Sequence, residues 1–209
     1  MSDGQRLPAQ RLLLFLILQQ GLFLAIGVGL WIWSGRSATG LLRFGWLDLA
    51  LGVALTALLV GLLASIAALA PRVRRHMTDI MARTLFMTDR PYGRAAILLI
   101  SCAAGLGEEV LFRAGIQQLA ADHMPGWAAI GLATLLFALA HPASRLLMAF
   151  VAGVSLILGV AYHLTGSLMA VLIAHALLDV WGCATIQKEL RARGHWGRTR
   201  PALADERRE

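Results

Sequence analysis

Apolar residues run along this chain in long blocks broken by short polar stretches, and six blocks are long enough to read as transmembrane helices. An α-helix rises 1.5 Å per residue, so about 30 Å of hydrocarbon takes roughly 20 apolar residues, fewer where neighbours shield the ends. The blocks cover residues 12–33, 47–70, 92–121, 127–141, 146–163 and 167–183. The first two carry no charge beyond Asp48 at the start of the second, and read as anchors. The first block has no small-residue cleavage pattern and exceeds a signal-peptide core, so it is expected to be retained. Between the second and third, Met77, Ile80, Met81, Leu85 and Phe86 recur at helical spacing among basic residues, which predicts an amphipathic helix lying in the interface. The fold class is all-α: a polytopic transmembrane helical bundle of about six spans.

Composition agrees and removes other classes. Of 209 residues, 58% are hydrophobic and 15% charged, and the mean hydropathy of +0.68 is too high for a water-soluble domain of this size. The two cysteines, Cys102 and Cys183, both lie inside apolar blocks, so this is no disulfide scaffold. Lys and Arg number 19 against 12 Asp and Glu. These cations lie between spans and read as topology determinants, so no nucleic-acid partner is expected; the bilayer is the partner. With both termini in the cytoplasm, and Arg94 at the start of the third block counted with the preceding loop, 16 of the 18 cations other than Arg113 are cytoplasmic, the bias expected in a bacterial inner membrane. One transmembrane domain is expected over 1–187, with its chemistry in 92–183 and a basic cytoplasmic tail over 188–209.

The third block holds Glu108, Glu109 and Arg113 in its interior. A charge at a helix centre costs about 2.5–3.5 kcal/mol on insertion scales, so this group must face protein or water. Glu109 and Arg113 are four residues apart and share a helix face, which predicts an ion pair and leaves Glu108, about 100° around the helix, free for other work. Two further pairs at the same spacing follow: Phe137 with His141, and His175 with Asp179. A carboxylate one turn from His175 would fix its tautomer. His76, His123, His163 and His195 are assigned no role. Three spans thus deliver a carboxylate with an ion-paired neighbour, an imidazole, and an imidazole with a carboxylate. That set suits water activation and oxyanion stabilisation, and peptide hydrolysis is the reaction it serves most directly.

At these residues the chain resembles the CAAX protease and bacteriocin-processing (CPBP, or Abi) family of intramembrane endopeptidases, which includes the type II CaaX prenyl endopeptidases. The family's Glu-Glu-x-x-x-Arg resembles EEVLFR at 108–113, its Phe-x-x-x-His resembles FALAH at 137–141, and its His-x-x-x-Asn/Asp resembles HALLD at 175–179. The resemblance implies that Glu108 activates the attacking water, that Glu109 and Arg113 support it, and that His141 and His175 stabilise the oxyanion. Asp179 stands where many relatives have Asn. An ionised Asp cannot donate to an oxyanion, so an orienting or ligating role is expected of it. A metal-independent glutamate mechanism is favoured. Zinc is the alternative, with Glu108, His141, His175 and Asp179 as its ligands, although the chain has no His-Glu-x-x-His helix. The expected partner is a peptide or protein substrate, either lipidated or a leader peptide.

Other intramembrane proteases do not fit: no Gly-x-Ser-Gly occurs, and GLGE at 105–108 ends in Glu where an aspartyl enzyme needs Asp. The competing readings from other classes are a non-catalytic scaffold or immunity-type binding protein, and a small proton-coupled carrier. A scaffold has no need of costly intramembrane charge. A carrier is expected to show a repeated half, and none is visible.

Overall fold

The computed structural model describes residues 6–37, 41 and 44–197, and the described residues form seven helices. These are α1 (Ala9–Trp33), α2 (Trp46–Leu69), α3 (Pro71–Arg83), α4 (Arg94–Ala121), α5 (Gly126–Leu139), α6 (Arg145–Thr165) and α7 (Leu168–Ala192). Five of them, α1, α2, α4, α6 and α7, are long and apolar enough to cross a bilayer. The fold is a polytopic all-helical bundle.

Helix α4 is its centre. Of its most apolar stretch 56% is buried, against 11% for α1 and for α2, where Leu14, Phe15, Leu18, Leu22, Leu58 and Leu62 are exposed. Helices α1 and α7 flank α4, α2 lies on α7, and α6 packs on α5. Leu59, Val110, Ala114, Leu158, Val171 and Ala174 meet where α2, α4, α6 and α7 converge. Within α4, residues Val110–Gln117 are π-helical. Such i→i+5 stretches are rare and recur at functional sites.

The fourth block departs from expectation. Its helix has 14 residues, about 21 Å at 1.5 Å each, and does not reach across the hydrocarbon unaided. It stops at Leu139, leaving His141 in the turn to α6. Pro142 explains the stop, because a residue preceding proline is driven out of helical backbone. The sixth block is longer than expected, since its helix continues beyond Cys183 to Ala192. Residues 188–192 are therefore helix, and 198–209 of the basic tail lie outside the described residues.

The predicted amphipathic helix is α3. It opens on Pro71, whose missing N–H costs nothing in a first turn. Its arginines 72, 74 and 75 are exposed, while Thr78 and Ile80 are buried. Polar contacts bind it to the end of α7: Arg193 Nη1 lies 2.7 Å from Asp79 Oδ1, and Thr78 Oγ1 donates to Glu189 Oε2 at 3.3 Å. The start of α4 is fastened to the same end of α7, where Gln187 accepts from the Tyr92 N–H at 2.8 Å and donates to its carbonyl at 3.0 Å. Asp89 caps the start of α1 by accepting from the Ala9 N–H at 2.9 Å.

Candidate active site

Glu108 and Glu109 are adjacent on α4 but point different ways, as the helical advance per residue requires. Glu109 faces inward with no exposed surface. Its Oε2 accepts from Arg113 Nε at 3.1 Å, one turn along, and its Oε1 accepts from His175 Nδ1 on α7 at 2.7 Å. Arg113 is itself fully buried. Its Nη2 donates to the Ser155 carbonyl at 3.1 Å and hydroxyl at 3.0 Å on α6. One turn further, Gln117 Nε2 donates to the Gly159 carbonyl at 2.9 Å. Two residues four apart on α4 thus meet two residues four apart on α6. This network binds three helices and satisfies most of the charge it buries.

Glu108 takes the other direction. Its Oε1 accepts from Gln20 Nε2 on α1 at 2.9 Å, and its Oε2 lies 3.8 Å from His175 Nε2. Both residues line a cavity of about 1180 Å³, together with Phe137, His141 and Asp179. The ion pair of Glu109 and Arg113 is the one the spacing predicts, and Glu108 is left facing open space. Asp179 does not take the place expected of it. His175 Nδ1 is bound to Glu109, whereas Asp179 Oδ2 lies 3.7 Å from the opposite ring nitrogen, with its side chain 37% exposed.

Phe137 organises the imidazoles. Its ring stacks on His141 with centroids 4.8 Å apart and meets His175 edge to face at 6.2 Å. Arg113 Cζ lies 5.9 Å from the centroid of the same ring, and Phe112 packs against it at 4.9 Å. His141 Nδ1 donates to the Phe137 carbonyl at 2.8 Å, which uses up an acceptor that the end of α5 leaves unpaired. Because carboxylates and carbonyls only accept, both histidines carry a proton on Nδ1. Their Nε2 atoms are the groups left for chemistry.

A bound metal would need three or more such donors around one point. Among the described residues no three His, Cys, Asp or Glu side chains converge closely enough to hold one.

Gln20, Ser155 and Gln117 are the polar residues of the site that reading the sequence passed over. Gln20 had a local signal, since the pair Gln19–Gln20 interrupts an otherwise apolar span.

Residues 91–181 match the family model Rce1-like, described as type II CAAX prenyl endopeptidase Rce1-like. No curated protein and no solved structure matches the chain. The matched segment runs from the start of α4 into α7 and contains all six charged or imidazole residues read from the sequence, with Gln20 outside it. With three motifs that border one cavity and helices long enough to cross a membrane around them, the segment over 91–181 is similar to the type II CAAX prenyl endopeptidases.

Proposed function

We propose that this protein hydrolyses a peptide bond within the membrane, with Glu108 as the base that activates water. What supports the reading is the gap of 3.8 Å between Glu108 Oε2 and His175 Nε2 on the wall of a shared cavity. Two atoms so spaced can share one water at about 2.8 Å from each. Glu108 takes a proton from that water as its oxygen bonds to the scissile carbonyl carbon, and the carbonyl electrons move onto oxygen. His175 and His141 stabilise that oxyanion through their Nε2 atoms. The tetrahedral centre then collapses and the C–N bond breaks. The proton held on Glu108 passes to the leaving nitrogen, which restores the base. Glu109 and Arg113 hold His175, and Asp179 offsets the charge of its ring.

The substrate is a peptide or protein presented at the membrane, lipidated or carrying a leader. No metal takes part in the mechanism. The protein resides in a bacterial inner membrane with both termini in the cytoplasm, and the cavity opens to that side.

The test is a comparison of peptide termini in cells producing the wild type and Glu108→Gln. The variant should insert and accumulate normally while a defined set of cleavage products disappears. Retained cleavage would overturn the glutamate mechanism. Chelator-treated membranes run beside it should keep full activity, and a loss restored by zinc would overturn the metal-independent mechanism.

A further inference from the structure

The first span carries an amide that the family motifs do not include. Gln20 lies on α1, outside the matched segment, and is 7% exposed, one of three buried residues in that helix. Its Nε2 donates to Glu108 Oε1 at 2.9 Å. The chemistry of the acceptor fixes the orientation of the amide, because turning it over would set its carbonyl oxygen against a carboxylate with nothing to donate. In the observed orientation Gln20 Oε1 is buried without a hydrogen-bond partner. That cost is tolerated only if the donor on the other side matters.

The backbone holds the amide in place. Gly107 sits against Gln20 so closely that a Cβ at 107 would lie 2.6 Å from the Gln20 carbonyl oxygen and 2.7 Å from Oε1. The side chain is therefore braced from behind by the residue preceding the one it serves.

Building on the reading of Glu108 as base, we infer that Gln20 is a positioning residue that fixes one oxygen of the Glu108 carboxylate and turns the other toward His175. Oε1 is occupied by Gln20, so Oε2 is the atom that receives the proton of water. The membrane anchor α1 is in this way part of the catalytic apparatus, and the segment matched by the family model is incomplete without it. A carboxylate lacking this contact can rotate about its last torsion and meets water in the productive arrangement less often.

The test uses Gln20→Met, which keeps the length and apolar bulk of the side chain and removes the donor. Infrared difference spectra of purified protein in lipid nanodiscs, wild type minus Glu108→Gln, identify the carboxyl band of Glu108. That band should shift in Gln20→Met. The rate at which Glu108-dependent peptide ends appear should fall about ten- to a hundredfold, the effect of losing a hydrogen bond to an ionised group. An unmoved band overturns the inference and leaves the endopeptidase reading untouched. A shifted band with an unchanged rate also overturns it, as a contact without catalytic consequence. If Glu108→Gln itself still cleaves, the endopeptidase reading fails while the band continues to report the contact. Should Gln20→Met fail to accumulate, Gln20→Asn keeps the amide but withdraws it by one methylene, and gives the same readings.

Discussion

Arg113 is a fully buried guanidinium inside a transmembrane helix, and it is tolerable only because Glu109 and Ser155 meet it. Glu109 in turn divides its two oxygens between Arg113 and His175. Removing one partner of a buried pair leaves the other charge uncompensated, at a cost of about 3–5 kcal/mol. Arg113→Leu should therefore lower the thermal unfolding temperature sharply in detergent, whereas the double variant Glu109→Gln with Arg113→Leu should recover much of the loss. Equal instability of the two would mean that packing around the guanidinium matters more than its charge. At this scale the sequence was legible wherever partners sit one turn apart. Glu109 and Arg113 could be paired by counting, and so could His141 with Phe137. The partner of Glu108 could not, because 88 residues separate Gln20 from it and an amide in an apolar helix carries no charge to demand an explanation. The same counting misled for His175, where the carboxylate one turn away lost Nδ1 to one from another helix.

Elements bring these residues together through close approach. Small residues let helix backbones near one another inside a membrane, where apolar burial alone supplies no drive. Gly107 faces Gln20 on α1, and a Cβ at Gly27 would lie 2.7 Å from Leu111 Cα. The contact at Gly107 is backbone on one side, so an added methyl cannot be absorbed by a rotamer change. Gly107→Ala should cost about 1–3 kcal/mol as an overpacked contact and withdraw Gln20 from Glu108. Gly131→Ala on α5 is the control, since a Cβ there meets nothing within 4 Å. Thermal unfolding of both variants, with the Glu108 infrared band, would check this, and equal stability would refute the proposed close approach. Existence and type of the long helices were readable from block length alone. The π-helical stretch was not, because apolar spacing is too coarse to separate i→i+4 from i→i+5 bonding over eight residues. The short span was readable in principle, since Pro142 marks where α5 must end.

For the whole molecule, the question is which side of the membrane supplies water and substrate to Glu108. The cavity extends from Glu108, His141 and His175 past Asp179 and Cys183 to Pro71, Arg74 and Glu189, where α3 meets the end of α7. That end also carries arginines 72, 75 and 193 and Lys188, and cations concentrate on the cytoplasmic face. Positive charge therefore gathers at this end of the cavity. Thr185 lines this part of the cavity and is exposed. A Thr185→Cys variant made with Cys102→Ser and Cys183→Ser, so that no native thiol remains, should react with a charged, membrane-impermeant maleimide in inside-out vesicles and stay unlabelled in right-side-out ones. The reverse pattern would put this end of the cavity, and the end of α7 with it, outside the cytoplasm, and would redirect the search for substrates to exported proteins.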